Sequence, residues 1–317
     1  MNAPLLELPA VDQLPRSQRL LRAGFRGLLT LAFRSVIRPP MPVAWQRFWL
    51  RALTLTSQVP RSVSIRATTL GGVPAEQLSL AQTNPCAVLY LHGGAFCIGS
   101  ARTHRSITAN LARLSGATVY ALDYRLAPEH PYPAGLDDAV AAYQALLAQG
   151  FKPEQLAIAG DSAGGNLALT CALRLQRQGL PQPAALLTLS PLTDASRQQL
   201  HQPPAGDPLL NVRWVAQASA DYCAPAQLND PLVSPVFAGA EQLAALPPVM
   251  IQVGEDEILL NDSLRMHQAL LAAGNEVVLE RYADYWHVFQ AQAGVLLAAD
   301  IALQRLANFL KQHWRDA

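Results

Sequence analysis

The chain has little that would hold it in a membrane or on a metal. In its N-terminal segment, Arg26 and Arg34 confine the apolar stretch to the seven residues 27–33, far short of the about 20 residues a span needs, and the same short apolar core argues against a signal peptide. Cysteine is scarce: Cys86, Cys97, Cys171 and Cys223 share no CxxC spacing and no His-rich surroundings, which argues against a zinc site. A reduced, cytoplasmic setting with the four thiols as small packing residues is the simplest expectation. Repeats and low-complexity tracts are absent, which excludes solenoids and propellers. Acidic residues are nearly missing at the start: residues 1–66 hold ten arginines against Glu7 and Asp12 alone. Since the whole chain is formally +1, the rest carries about −7.

What is present is apolar sequence in an alternating pattern. Half of the 317 residues are hydrophobic, enough for one large core. Short β-type runs at Ser62–Thr68, Gln77–Leu80, Ala87–Leu91, Thr118–Leu122, Leu156–Ala159, Ala185–Leu189, Val249–Val253 and Val277–Tyr282 alternate with helix-length segments. Runs apolar on both faces belong to a parallel sheet covered by helices, so the pattern predicts a doubly wound α/β sheet.

Gly160-Asp161-Ser162-Ala163-Gly164-Gly165 follows one such run and opens the helix-like stretch from Asn166. Ser162 therefore sits where a strand turns sharply into a helix. Gly160 and Gly164 remove side chains that would obstruct the turn, and the helix N-terminus faces the hydroxyl. The motif is weak by itself. Upstream, Ala87–Leu91 ends in His92-Gly93-Gly94-Ala95-Phe96, a loop with unobstructed amides. Acyl transfer through serine needs donors aimed at the oxygen that becomes negative, each worth ~3 kcal/mol. Gly93 and Gly94 are expected to supply two and Ala163, the residue after the nucleophile, a third; Ala95 keeps its own amide, so a third glycine is not required. His92 is expected to shape the loop by a hydrogen bond.

The remaining partners should follow in the order serine, acid, histidine. The run Val249–Val253 delivers Glu255, Asp256 and Glu257 at its end, and one of these three is the acid; Asp262 reads better as a negative charge at a helix start. Of seven histidines, His287 follows the last β-type run and a short polar loop. His104, near a helix start, His130 and His201, in Pro-rich segments, and His267 and His313, on surface-type helices, read as structural or solvated.

Together, His92–Phe96, Asp123–Glu129, Gly160–Gly165, Gly254–Glu257 and His287–Phe289 resemble, in order and spacing, the hormone-sensitive-lipase-like (bacterial family IV) branch of the α/β-hydrolases over roughly residues 60 to 315. The resemblance implies an eight-stranded α/β-hydrolase fold with a helical cap, a carboxylic-ester hydrolase working through Ser162, Asp256 and His287, and neither metal nor cofactor. It assigns the acid to Asp256. It also implies that the loop bearing Arg125 and Glu129 fixes the oxyanion loop. Short acyl chains or bulky alcohols, with lactones also compatible, are the implied esters. Homodimers paired through the strand near Val277–Tyr282 are a further implication.

The cap expected from this resemblance has two parts, residues 1–60 and a segment near 195–230, with residues 61–317 as the catalytic domain. Leu20, Leu21, Gly24, Leu28 and Leu31 recur at helical spacing between Arg19, Arg22 and Arg26. That suits a cap helix, the favoured reading, or weak contact with an anionic membrane surface. Phe96, Leu192, Trp214, Tyr222 and Val288 are candidate pocket walls. Three rival readings exist: a peptidase or amidase with the same triad, which usually gains a propeller domain, for which 317 residues leave no room, or a dedicated N-terminus pocket; a non-catalytic receptor of the same fold, a class that lacks the histidine present here as His287; and a nucleic-acid binder, for which the chain has no recognised motif.

Overall fold

The computed structural model describes residues 14–314 other than 36, 38 and 57. The first thirteen residues of the expected N-terminal cap element, with Glu7 and Asp12, lie outside the described residues, as does Arg38.

Two helices, α1 (Arg16–Ser35) and α2 (Val43–Leu53), precede the sheet. Eight strands follow: β1 (Ser64–Leu70), β2 (Val73–Ser79), β3 (Ala87–Leu91), β4 (Thr118–Leu122), β5 (Leu156–Asp161), β6 (Ala185–Leu189), β7 (Val249–Gly254) and β8 (Val277–Tyr282). Between and after them run α3 (Arg105–Ser115), α4 (Ala134–Ala148), α5 (Ala163–Arg177), α6 (Val212–Tyr222), the short α7 (Ala240–Ala244), α8 (Leu260–Ala272) and α9 (Leu297–His313). The strand order is β1-β2-β4-β3-β5-β6-β7-β8. β2 is antiparallel to both its neighbours, and every pair from β4 to β8 is parallel.

Six strands lie close to where the sequence puts them. The second begins four residues earlier than the expected Gln77, because β1 and β2 form a hairpin across Gly71 and Gly72, both at positive φ. That turn draws Val73 and Pro74 into the pairing opposite Leu70 and Thr69.

The parallel strands are buried on both faces for a visible reason. In β3, Ala87, Leu89 and Leu91 join the core packed under α4, α5 and α8, whereas Val88 and Tyr90 join the core under α3 and α9. Side chains that alternate across the pleat meet helices on either side, so no position in the strand is polar. All four cysteines are buried and unpaired within these cores.

Adjacent parallel strands bring their C-terminal ends to one edge, where an open α/β sheet places its ligands. There β3 releases the 92–98 loop, β5 the Ser162 turn, β7 the segment 255–259 and β8 the His287 loop. α1 and α2 lie over this edge, tied down by arginines: Arg26 donates to Asp256 and to the carbonyls of Ala205 and Gly206, and Arg47 donates to Glu129 and to the carbonyls of Cys97 and Ala127. Among the described residues, no helix is long and apolar enough to cross a membrane.

Candidate active site

Ser162 is the turn between β5 and α5, held at φ 54° and ψ −117°. Such left-handed backbone is strained for a residue with a side chain and persists because its surroundings fix it. The Ser162 N–H donates to Leu189 O at 2.8 Å, and its carbonyl accepts from Asn166 and Leu192. The turn's glycines are dictated by crowding: a Cβ on Gly160 or Gly164 would overlap the carbonyl of Leu91. α5 thus starts directly against the end of β3, beside the 92–98 loop.

In that loop, Gly93 does something other than expected. Its N–H donates to Asp161 Oδ1 at 3.0 Å, an oxygen that also accepts from Tyr90 Oη at 2.7 Å. An amide already given to a carboxylate is not available to an oxyanion, so Gly93 is corrected from donor to anchor. A Cβ at Gly93 would overlap Asp161 itself. Gly94 and Ala95 both line the cavity next to Ser162. Among the described residues no acceptor takes the N–H of Gly94, Ala95 or Ala163. Ala95 and Phe96 are held at φ 55° and 60°, left-handed backbone that is strained for residues with side chains and persists because its surroundings fix it.

His92 makes the expected loop-shaping contact, Nδ1 to Gly93 O at 2.8 Å, and stacks on Tyr124 with ring centroids 4.4 Å apart. Burial drives its pKa down to about 3, so it is neutral. Support for the loop from the 123–129 segment comes through Tyr124 Oη, which donates to His92 O at 2.7 Å, and Ala127 N–H, which donates to Phe96 O. Arg125 points elsewhere: its guanidinium chelates Asp138 on α4. Glu129 reaches the loop only indirectly, by gripping Arg47, which in turn holds Cys97 O. The long side chains found the charges opposite them, and the short-range support came from neighbours.

His104, which reads as a helix-start residue, also lines the cavity, with Nε2 3.3 Å from Asp161 Oδ2. Burial opposes charge on this imidazole, but the Asp161 carboxylate outweighs it and raises the pKa; Asp161 is lowered in turn, burial being outweighed by His104 and the Tyr90 hydroxyl.

The acid facing His287 is Glu257, not Asp256. His287 Nδ1 lies 3.1 Å from Glu257 Oε1, and both side chains are almost wholly buried. Glu257 Oε2 is fixed from behind by Ser190 Oγ at 2.7 Å and Gly254 N–H at 3.1 Å. Ser190 Oγ also accepts from Val288 N–H, so one hydroxyl orients the carboxylate and the backbone beside the imidazole. Asp256 turns outward because its own N–H is tied to Tyr285 O, and its carboxylate meets Arg26 at 2.8 Å. Glu255 pairs with Arg281. Burial would lower the His287 pKa, but the charge and hydrogen bond of Glu257, with Asp207 behind, raise it above the ordinary histidine value.

Two further carboxylates are buried near the site, of which the sequence marks only Asp262, as a helix-start charge. Asp207 accepts from the N–H groups of Leu209, Leu210 and Ile258, next to Glu257, and burial lifts its pKa to about 6. Asp262 does stand in the first turn of α8, yet its carboxylate accepts from the N–H groups of Thr193 and Asp194, pinning the chain after β6; burial lifts it to about 7. Nothing in the local sequence marks Asp207, or shows that Asp262 reaches the chain after β6. Among the described residues no cluster of metal-ligating side chains occurs.

Ser162 and His287 open on one cavity of about 260 Å³, with walls mostly of aliphatic side chains from α1, α2 and the 209–214 segment. Of the expected wall residues, Trp214 and Val288 line it, whereas Phe96, Leu192 and Tyr222 do not. Phe96 instead stacks flat on Tyr222 at 3.6 Å. Walls that the sequence did not mark include Phe25, Leu28, Leu29, Phe33, Leu50 and Leu53.

With this geometry in view, comparison with known proteins is decisive. The profile of a family described as an alpha/beta hydrolase fold matches residues 88–291. The chain is 38% identical over 251 residues to an "Esterase" of Acinetobacter venetianus, covering 78% of this chain and 82% of that protein. It is 37% identical to an "Acetyl-hydrolase" of Streptomyces hygroscopicus, with 77% and 81% covered. The crystal structure of an esterase from the bacterial hormone-sensitive lipase family superposes with a TM-score of 0.87 at 33% identity, over 93% of this chain and 99% of that one. The chain belongs to the hormone-sensitive-lipase-like branch of the α/β-hydrolases. This hydrolase is a serine carboxylesterase, and its eight-stranded, mostly parallel sheet is the fold the sequence predicted.

Proposed function

We propose that the enzyme hydrolyses small carboxylic esters through an acyl-enzyme on Ser162, with His287 as general base and Glu257 as the acid that orients it. The observation carrying this reading is the His287–Glu257 contact in the wall of the cavity that Ser162 enters. Glu257 keeps the Nδ1 proton in place, leaving Nε2 to take the Ser162 proton as Oγ attacks the ester carbonyl. The amides of Gly94, Ala95 and Ala163 receive the charge that develops on the carbonyl oxygen. His287 then protonates the departing alcohol, and water activated by the same imidazole releases the acid and restores Ser162.

A cavity of about 260 Å³ with aliphatic walls favours esters with a short acyl chain, with hindered alcohols or lactones as the variants to compare. α1, α2 and α6 serve as the cap, supported by the contributions of α1, α2 and Trp214 to the walls. Ser162→Ala should abolish turnover of a short-chain aryl ester while the circular dichroism and melting temperature stay unchanged, and a fluorophosphonate should label Ser162 in the wild type. Wild-type-like turnover in the variant would falsify the assignment, and absence of labelling would favour a binding protein of the same fold.

A further inference from the structure

α1 carries apolar side chains on two opposite faces. Its inward face, with Arg22, Phe25, Arg26, Leu29 and Phe33, is the one that packs or bonds to the body. Its outward face carries Leu20, Gly24, Leu28 and Leu31 at a spacing of about one turn, and the leucines are exposed, Leu20 at 74% and Leu31 at 66%. α2 repeats the pattern: Trp45, Phe48, Trp49 and Leu53 share one face and are all exposed. A soluble surface rarely gathers so many large apolar groups unless something covers them.

Three observations identify the cover. Residues 13–60 contain eight arginines and no Asp or Glu; among the described residues Arg16, Arg19 and Arg51 make no salt bridge. A second copy docked through the same surface would set these like charges against each other, since a two-fold interface brings identical patches together, and the acids nearest the two helices, Asp284, Asp256 and Glu129, are already paired with Arg22, Arg26 and Arg47. Finally, Leu28 and Leu53 are both exposed and both line the cavity that reaches Ser162, so the two apolar faces meet at the cavity's mouth.

We propose that α1 and α2 form a docking surface for an anionic lipid layer, with the leucines and indoles entering the headgroup boundary and the arginines facing its negative charge. Tryptophan suits that boundary because its ring is apolar and its N–H is not. The helices lie on the surface rather than cross it, in keeping with their length and apolar content. Docked in this way, the mouth between Leu28 and Leu53 opens towards the layer, and apolar esters held there reach Ser162 without passing through water.

The test is flotation of the full chain with phosphatidylglycerol vesicles and with phosphatidylcholine vesicles. The wild type should bind the anionic vesicles roughly tenfold more tightly, and added salt should weaken that binding. A variant carrying Leu20→Ser, Leu31→Ser, Trp45→Ser and Phe48→Ser, none of which lines the cavity, should lose at least about tenfold of the binding while turning over a soluble short-chain ester normally. Arg19→Gln with Arg51→Gln should remove most of the preference for anionic lipid. The proposal is overturned if the wild type binds neither vesicle, if the four-fold variant binds as well as the wild type, or if the variant only converts a dimer to a monomer. Binding is read in Ser162→Ala protein as well, so failure here is separable from failure of the ester assignment.

Discussion

The identity of the acid turns on a single residue step. Glu255, Asp256 and Glu257 leave β7 in succession, and each finds a different partner: Arg281, Arg26 and His287. Sequence shows three carboxylates at the right place in chain order but cannot show which one points inward, because that depends on the path of a turn whose N–H groups are fixed by Tyr282 and Tyr285. The two assignments differ in measurable ways. Glu257→Gln should lower kcat by roughly 10³- to 10⁴-fold, as expected when a buried acid no longer holds the tautomer. Asp256→Asn should leave kcat within about threefold and cost no more than about 1 kcal/mol of stability, as for a partly exposed ion pair. The reverse ranking in steady-state kinetics would restore Asp256 as the acid. The raised His287 pKa also fixes a direction: the free enzyme needs this imidazole neutral, so kcat/KM should fall as pH drops through a value above the ordinary 6.5. In Glu257→Gln burial is no longer opposed by the carboxylate, and the residual activity should extend to lower pH.

At the scale of elements, the strands were legible because burial on both faces leaves an uninterrupted apolar run, and the Ser162 turn because backbone crowding requires its glycines. The oxyanion loop was legible as a loop, but not atom by atom. Gly93 is a glycine so that Asp161 can approach, and its N–H is taken by that carboxylate, while Gly94 and Ala95 line the cavity. Gly93→Ala should therefore lose about as much activity as removal of an oxyanion donor, ~100-fold or more, although its own N–H never meets substrate. The anchor of α8 makes a thermodynamic prediction. Asp262 has a folded pKa of about 7 against an ordinary value of 3.8, so the folded state binds this proton more tightly than the unfolded chain. Its contribution is full below about pH 4 and declines as pH rises towards 7. Melting temperature followed from pH 4 to 7 should fall less steeply in Asp262→Asn than in the wild type; an unchanged slope would mean that the group is ionised throughout.

Across the whole molecule, α1 is coupled to the catalytic edge through Arg26, which spans Asp256 and the carbonyls of Ala205 and Gly206. Asp256 is thus a latch for the helix that walls the cavity. Arg26→Ala should raise hydrogen exchange in the α1 amides roughly tenfold and raise KM more than it lowers kcat, because the wall loosens while Ser162, His287 and Glu257 stay in place. Unchanged exchange in α1 would show that packing of Phe33 and Leu29 and the contacts of Gln18 and Arg22 hold the helix without Arg26. By itself, the sequence determined the α/β-hydrolase sheet and marked Ser162 and His287, which the fold brings to one cavity, because each reading rests on local rules: apolar periodicity, a glycine-bounded turn, and the order in which strands deliver their loops. Only the tertiary structure decided which carboxylate faces His287, which amides remain open to an oxyanion, and which faces of α1 and α2 stay uncovered. Those depend on how separate segments meet in space, across 30 residues for His287 and Glu257, 68 for Gly93 and Asp161 and 230 for Arg26 and Asp256, and local sequence does not fix such distances.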